Sequence, residues 1–249
     1  MTRHAPIATD EAQIRIDLAA AIRLACRYDW HEGVANHFSA AVSADGRKFL
    51  VNPRWVHWSR VRASDLVLCD ADDPSTMDRP DAPDPSAWSI HSAIHRRLPQ
   101  ARVALHIHPP YCTALAALRD PRILPIDQVT ARFHNRIAYD LNFGGIASHG
   151  DEGERIAATV GNPAALMMQN HGVTTFGATV AEAWDALYHL ERAARTLVLA
   201  WSTGQPLKVM SDELAEATAA EWQTYKDAET AHFEEMKRIL DREAPDYRD

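Results

Sequence analysis

Three shortages in the sequence exclude whole classes of protein. The three cysteines, Cys26, Cys69 and Cys112, lie far apart and form no CxxC pair, which excludes a disulfide scaffold and predicts reduced thiols. Basic residues are also too few to balance the acidic ones, with 26 Lys and Arg against 34 Asp and Glu. The resulting net charge of -8 provides no positive field to attract nucleic acid. No apolar run reaches the roughly 18 residues of a membrane span. We therefore expect neither a nucleic-acid partner nor a membrane partner.

The remaining composition is that of an ordinary globular protein. Of the 249 residues, 46% are hydrophobic and 24% are charged. A chain of this length buries enough surface to form a core without disulfides. Residues 1–13 lack the apolar run of a signal peptide, so we expect a cytoplasmic protein. The sequence has no repeats and no long linker, which predicts a single domain over 1–249.

Hydrophobic periodicity predicts a mixed α/β chain. A hairpin is expected around the turn at Asp45-Gly46, and Thr179 with Glu182 forms a capping box before a long amphipathic helix. Ser86 is a candidate cap for an earlier helix. Helices are predicted near 10–28, 86–98, 111–118, 151–161, 179–203 and 212–242, and strands near 37–43, 48–52, 66–70, 102–108, 123–130, 165–169 and 173–177.

Histidines are numerous, at 13, and three of them have the pattern of metal ligands. In a strand, His106 and His108 project from the same face, while Ile107 enters the opposite face. His171, in the turn after a buried strand, could supply a third imidazole. Three neutral imidazoles suit zinc and leave a coordination position open, although manganese, cobalt and iron fit the same donors. The alternative on spacing alone is a strand with two polar residues and a turn capped by Asn170.

The other histidines compete less well for a metal. His91 and His95 share one helix face, but no acidic residue lies between them, so we expect them to support a ligand or to be buried structural residues. The remaining histidines fall into two groups, those with a surface or substrate-contact role (His37, His57, His134 and His149) and those expected to be structural or solvent-facing (His4, His31, His189 and His232).

These segments resemble a known family. The runs PSAWSIH, RLPQARVALHIHPPYCTALAAL and ALMMQNHGVTTFGATVAEAWDALYHLERAA, together with NHFSAAV and ASDLVLCD, are similar to the class II aldolase/adducin family over nearly all of residues 10–205. The resemblance implies a three-layer α/β/α fold with a central, mainly antiparallel sheet, and a homotetramer with sites at subunit interfaces. It also implies that His106, His108 and His171 bind a divalent metal, most simply zinc.

The sequence departs from the family where the family's chemistry resides. In the family's aldolases a glutamate in the motif beginning PSS abstracts the substrate proton, whereas here the motif runs Pro85-Ser86-Ala87-Trp88 and Ala87 cannot accept a proton. The family's phosphate-binding turns correspond to 36–39 and 52–55, where bulky residues replace small ones, and a catalytic tyrosine corresponds to Gln128. The substrate-binding candidates are Asn36, Ser39, Asn52, Ser86 and Gln128.

Three functions remain open. The first is a divalent-metal-dependent lyase of retro-aldol or decarboxylation type, acting on a small, non-phosphorylated hydroxy-carbonyl or hydroxy-acid, with His37, Tyr111 or Tyr139 as acid–base candidates. The second is an Fe(II)-dependent oxygenase on the same scaffold. The third is a non-catalytic, adducin-like binding module, although three buried imidazoles are costly to leave unsatisfied. Trp222 and Tyr225 either reach a neighbour's site or pack on their own subunit.

Overall fold

A seven-stranded sheet forms the centre of the computed structural model, which describes residues 10–145, 150–161, 164–225 and 227–249. The strand order is β3-β2-β1-β4-β7-β6-β5, and every neighbouring pair is antiparallel except β5 and β6. The expected mainly antiparallel sheet is therefore confirmed. The strands are β1 (His37–Ala41), β2 (Lys48–Val51), β3 (Val67–Asp70), β4 (Val103–Ile107), β5 (Ile137–Asp140), β6 (Ala165–Met168) and β7 (Val173–Gly177).

Helices cover both faces of this sheet. They are α1 (Glu11–Arg27), α2 (Pro85–Arg97), α3 (Pro110–Ala116), α4 (Gln128–Ala131), α5 (Gly150–Val160), α6 (Val180–Ser202), α7 (Asp212–Trp222) and α8 (Ala228–Glu243). Short 3-10 turns lie at Trp58–Arg60, Ala63–Asp65, Pro74–Asp78 and Pro245–Arg248. Within the described ranges, no helix combines the length and the apolar character that crossing a bilayer requires.

Side chains on the two faces of β4 are buried in two different hydrophobic clusters. Val103, Leu105 and Ile107 join the large apolar cluster that contains residues of α1, α6 and α8. Ala104 joins a smaller cluster formed with α2 and α5. Because side chains alternate along a strand, His106 belongs to the same face as Ala104, the one covered by α2. The three layers thus place His106 between the sheet and α2.

Several predicted boundaries are wrong, each for a local reason. The strand expected at 123–130 does not form, because Pro125 lacks an amide hydrogen and Asp127 caps α4 by accepting a hydrogen bond from the Thr130 amide at 2.7 Å. The next strand along the chain is β5, at Ile137–Asp140. Ser86 does not cap α2, since Asp84 accepts the hydrogen bond from the Ser86 amide. The helix expected over 212–242 is two helices, and Asp227 before α8 has a left-handed φ of 60°.

Candidate metal centre

Three histidines meet where β4 ends and β6 turns into β7. His106 lies in β4 opposite Thr174 of β7, His108 follows the strand, and His171 lies in the turn between β6 and β7. Because β7 pairs with β4, this turn comes beside the end of β4. The Nε2 atoms of His106 and His108 are 3.3 Å apart, and one nitrogen from each of the three rings lies within 4.8 Å of the others.

Close packing fixes the turn that carries His171. Asn170 adopts a left-handed φ of 57°, and its amide donates to the Ala116 carbonyl at 2.8 Å. A Cβ on Gly172 would lie 2.4 Å from Cδ2 of His108 and 2.7 Å from the Ile107 carbonyl oxygen. Glycine is therefore required at 172 for the turn to approach β4, which gives the Asn-His-Gly sequence a steric reason.

Hydrogen bonds fix the tautomers of two of these imidazoles. Nδ1 of His106 donates to the Val173 carbonyl at 3.1 Å, and Nδ1 of His108 donates to the Glu32 carboxylate at 2.6 Å. Carbonyls and carboxylates only accept, so both rings carry a proton on Nδ1 and direct Nε2 toward each other. Such outer partners are the usual way in which proteins orient metal-binding histidines.

The donor set fits a divalent metal. Two nitrogens bound to one ion at about 2.0–2.1 Å with tetrahedral angles lie about 3.3 Å apart, and the Nε2 atoms of His106 and His108 have this separation. Burial lowers the pKa of His171 to about 4, and burial with the neighbouring imidazoles lowers the pKa of His106 well below its ordinary value. Both rings are therefore neutral at pH 7, the state in which imidazole binds metals.

A row of buried hydrogen bonds leads away from this cluster along α2. Nδ1 of His37 is 2.8 Å from Nε2 of His91, Nδ1 of His91 is 2.5 Å from Oγ of Ser39, and Oγ of Ser39 is 2.8 Å from Nε2 of His95. Each of these residues is at most 5% exposed. Burial lowers the pKa of His91 to about 4 and the pKa values of His37 and His95 well below the ordinary range. The row is neutral at pH 7.

One carbonyl sets the direction of the row. Nε2 of His91 also lies 3.2 Å from the His37 carbonyl oxygen, which can only accept, so this nitrogen carries a proton. It then donates to Nδ1 of His37, and the proton of His37 is on Nε2. Nε2 of His37 is 3.4 Å from Oγ of Ser86, and the His37 ring lies 4.6 Å from that of His106. His37 therefore presents an N–H beside the three-histidine cluster.

The substrate-binding candidates have different surroundings. Asn36 and Ser86 lie beside this row, and Oδ1 of Asn36 is buried without a hydrogen-bond partner among the described residues. Ser39 is occupied within the row, and Asn52 holds the backbone of β1 by accepting from the Phe38 amide at 2.8 Å. Gln128 lines a separate cavity of about 430 Å³ with Trp222 and Tyr225 of its own chain.

The tyrosine candidates and Ala87 lie outside the cluster. Tyr139 packs against the core on the opposite face of the sheet from His106, and its hydroxyl accepts from the Ile123 amide at 3.1 Å. Tyr111 packs against the same core. Ala87 is 2% exposed and belongs to an apolar cluster with Phe49 and Cys69. A carboxylate at position 87 would be buried among apolar groups.

Sequence reasoning missed Glu32, which contacts both His108 and Asn36. Its Oε2 accepts from Nδ1 of His108 and from Nδ2 of Asn36 at 3.3 Å. No periodicity or motif marks Glu32, since it lies in a loop. The positive φ of Asn36, 72°, turns this loop back toward β1. His4 and His149 lie outside the described residues.

The fold and the histidine cluster define an α/β protein with a group of three imidazoles that could hold a metal. The model of the family "Class II Aldolase and Adducin N-terminal domain" matches residues 16–198, and the chain belongs to that family. A Caulobacter vibrioides protein assigned to aldolase class 2 is 32% identical over 216 residues, which are 87% of this chain and 83% of that protein. An aldolase II superfamily protein from Pseudomonas syringae superposes with a TM-score of 0.86 at 31% identity, covering 99% of this chain and 98% of its own.

Two further relatives carry activities in their names. Decarboxylase NovR of Streptomyces niveus is 26% identical over 208 residues, 82% of this chain and 76% of NovR. The 4-hydroxy-3-prenylphenylpyruvate oxygenase/4-hydroxy-3-prenylbenzoate synthase of Streptomyces roseochromogenus is 28% identical over 188 residues, 73% of this chain and 68% of that enzyme.

Proposed function

We propose that this protein is a divalent-metal-dependent carbon–carbon lyase, of retro-aldol or decarboxylation type, acting on a small hydroxy-carbonyl or hydroxy-acid. The observation that carries the proposal is the pair of facing Nε2 atoms of His106 and His108, 3.3 Å apart, with His171 beside them. The aldolase family of the chain and the decarboxylase among its relatives support the same class of reaction.

Three residues would hold the metal. His106, His108 and His171 would each supply one imidazole nitrogen, and the ion, zinc in the simplest case, would polarise a substrate oxygen and stabilise negative charge on it. Glu32 and the Val173 carbonyl keep the ligand rings in the orientation and tautomer described above. The Glu32 carboxylate, hydrogen-bonded to Nδ1 of His108, also makes that imidazole a stronger metal ligand.

His37 is the acid–base group that this geometry favours. When the substrate's carbon–carbon bond breaks, the electron pair stays on carbon and needs a proton, which the Nε2–H of His37 could supply. His91 donates to Nδ1 of His37, so the row could follow that transfer by moving a proton along its own hydrogen bonds. Among the described residues no group donates to Oδ1 of Asn36, so this buried oxygen is a candidate acceptor for a substrate hydroxyl that reaches it.

The loop at 52–55 favours a substrate without a phosphate. The Arg54 guanidinium is already paired with Asp84 at 3.4 Å and lies over the Trp55 ring at 4.5 Å. Trp55 is 67% exposed and adopts a left-handed φ of 64°. The bulky pair therefore stands where the family resemblance places the small residues that let the backbone approach a phosphate.

An oxygenase is the second candidate, and the name of the Streptomyces roseochromogenus relative favours it. Fe(II) could use the same three imidazoles, whereas the usual site for such chemistry combines two histidines with one carboxylate. The two candidates differ in one requirement, because only the oxygenase consumes oxygen during turnover.

We propose that the protein acts as a cytoplasmic homotetramer. The three cysteines are free, and burial raises the pKa of Cys69 to about 12, which suits reduced, unreactive thiols. Leu141 and Phe143 are 54% and 53% exposed, and the Phe143 ring lies 6.2 Å from that of His171. Exposed apolar side chains beside the site support its completion by a neighbouring subunit.

Metal content and oxygen consumption test the proposal together. We expect the purified parent to retain metal at this site, and His106→Ala and His171→Ala each to lose it, while the matched control His134→Ala behaves as the parent. His134 is suitable because its contact with Asp212 is long, at 3.9 Å. Turnover of hydroxy-acids without oxygen uptake supports the lyase, and uptake matched to turnover supports the oxygenase.

Two outcomes would contradict the proposal. Retention of the parent's full metal stoichiometry in both alanine variants would remove these histidines as ligands, and a parent that binds no metal would support the non-catalytic binding module. Rapid cleavage of fuculose 1-phosphate would contradict the preference for a substrate without a phosphate.

A further inference from the structure

A second group of metal-ligand side chains lies between α6 and α8. Asp185 and His189 are one turn apart on α6, and His232 faces them from α8. Nδ1 of His232 is 2.7 Å from Oδ1 of Asp185, and Nδ1 of His189 is 3.3 Å from the same oxygen. One ligand atom from each residue lies within 4.8 Å of the other two.

The composition of this group is specific. Residues four apart on a helix share a face, so α6 presents a carboxylate and an imidazole together. Two imidazoles and one carboxylate are a common donor set for divalent transition metals, and they leave coordination positions open. The Asp185 side chain is 6% exposed, and those of His189 and His232 are 20% and 24% exposed. The group is buried enough to be ordered and open enough to admit an ion.

Arg132 orients the carboxylate. Its Nη2 lies 2.6 Å from Oδ2 of Asp185, the oxygen that does not contact the imidazoles. Burial opposes ionisation, but hydrogen bonds from His189 and His232 together with Arg132 hold the pKa of Asp185 well below its ordinary value. The carboxylate therefore has Oδ1 directed at the two rings and Oδ2 held from behind by Arg132.

A cavity of about 300 Å³ opens beside these three residues. It is lined by Tyr188, Trp222 and Glu229, as well as by Arg132 and the three ligand candidates. Glu229 adds a second carboxylate to the lining of this cavity. The cavity gives an ion a route from solvent and leaves room for water on the open coordination positions.

We propose that Asp185, His189 and His232 form a second site for a divalent transition metal, separate from the three-histidine cluster, that links α8 to α6. Without metal, Nδ1 of His232 contacts Oδ1 of Asp185, whereas Nδ1 of His189 lies 2.9 Å from the Asp185 backbone carbonyl oxygen and 3.3 Å from Oδ1. A metal would be bound by the ring nitrogens in their unprotonated form, together with Oδ1 of Asp185. Zinc or cobalt fits two nitrogens and one oxygen.

Zinc binding to a protein that lacks the first cluster tests this site. In a His106→Ala/His171→Ala protein, titration calorimetry with Zn²⁺ is expected to give one equivalent, and Co²⁺ is expected to produce visible absorbance from coordination. Adding His189→Gln or His232→Gln should remove both signals, because glutamine cannot replace the Nδ1 lone pair. The matched control, with His134→Gln added instead, should keep them.

Thermal unfolding provides a second readout. Zn²⁺ should raise the Tm of the His106→Ala/His171→Ala protein, since the ion joins two helices only in the folded state, and His232→Gln should remove the rise. The proposal is overturned if the protein lacking the first cluster binds no Zn²⁺, or if the glutamine variants bind as it does. Neither result depends on the catalytic proposal, since the first cluster is absent throughout.

Discussion

Single atoms decide much of the chemistry of the candidate metal centre. The His37 carbonyl directs the hydrogen bonds of the buried row, and the Val173 carbonyl directs the proton of His106. Sequence alone could identify His106, His108 and His171 as ligand candidates, because alternation along a strand and a turn after a strand are local patterns. It could not identify Glu32, whose contact with His108 depends on how a loop folds back over the sheet.

Burial of His91 makes stability depend on pH. Its pKa is lowered to about 4 from 6.5, so between these values the unfolded chain binds a proton that the folded chain does not. The stability contribution is complete above pH 6.5 and is lost as the pH falls toward 4. For metal-free protein in chelator, we expect His91 alone to lower the free energy of unfolding by about 2 kcal/mol between pH 7 and pH 5.

Urea unfolding of the parent and of His91→Gln at both pH values measures this contribution. The variant should be less stable at pH 7, because it disrupts the buried row, but the drop between pH 7 and pH 5 should be smaller than in the parent. An equal drop in both proteins would mean that the His91 ring accepts a proton while folded.

At the scale of elements, local signals predicted some boundaries well and others poorly. The hairpin of β1 and β2 and the long helix α6 follow from a turn and a capping box that are visible in the sequence. The break between α7 and α8 does not, because apolar spacing continues across it while Asp227 takes a left-handed conformation. The apolar residues of 123–130 favour a strand, but Asp127 caps a helix there and the strand does not form.

Helix α3 depends on a residue from another helix. Pro109 provides no side-chain cap, and Glu191 of α6 instead accepts hydrogen bonds from the Tyr111 and Cys112 amides, both at 2.9 Å. Glu191→Ala should lower the free energy of unfolding by about 1–3 kcal/mol, because two amides near the helix start lose their acceptor.

Chemical denaturation checks this prediction, with Glu191→Gln as the control. Glutamine keeps one side-chain oxygen, so its loss of stability should be smaller than that of alanine. Equal losses for the two variants would show that packing of the side chain, rather than acceptance from the amides, accounts for the effect.

At the scale of the whole molecule, the resemblance read from the sequence predicted the layered fold, and helices do cover both sheet faces. Periodicity could not predict the strand order, because that order depends on pairing between distant segments. The parallel pair of β5 and β6 is an example, since β5 itself was not expected.

The proposed tetramer has a direct measurement. Light scattering coupled to size-exclusion chromatography should give four times the chain mass of 27.8 kDa. Leu141→Asp and Phe143→Asp should shift the mass toward the monomer if these exposed side chains lie at the interface, because a buried unpaired charge opposes association. The exposed Leu199→Asp is the matched control, and a monomeric parent would contradict the proposal.

The pairing of β4 with β7 also has a kinetic consequence. His106 and His108 are neighbours along the chain, so they can bind an ion together before the sheet exists, whereas His171 joins them only after β7 has docked on β4. An ion that binds the proposed centre during refolding would therefore meet two of its nitrogens first and the third later. The time at which the ion becomes tightly bound would therefore show when β4 and β7 have paired.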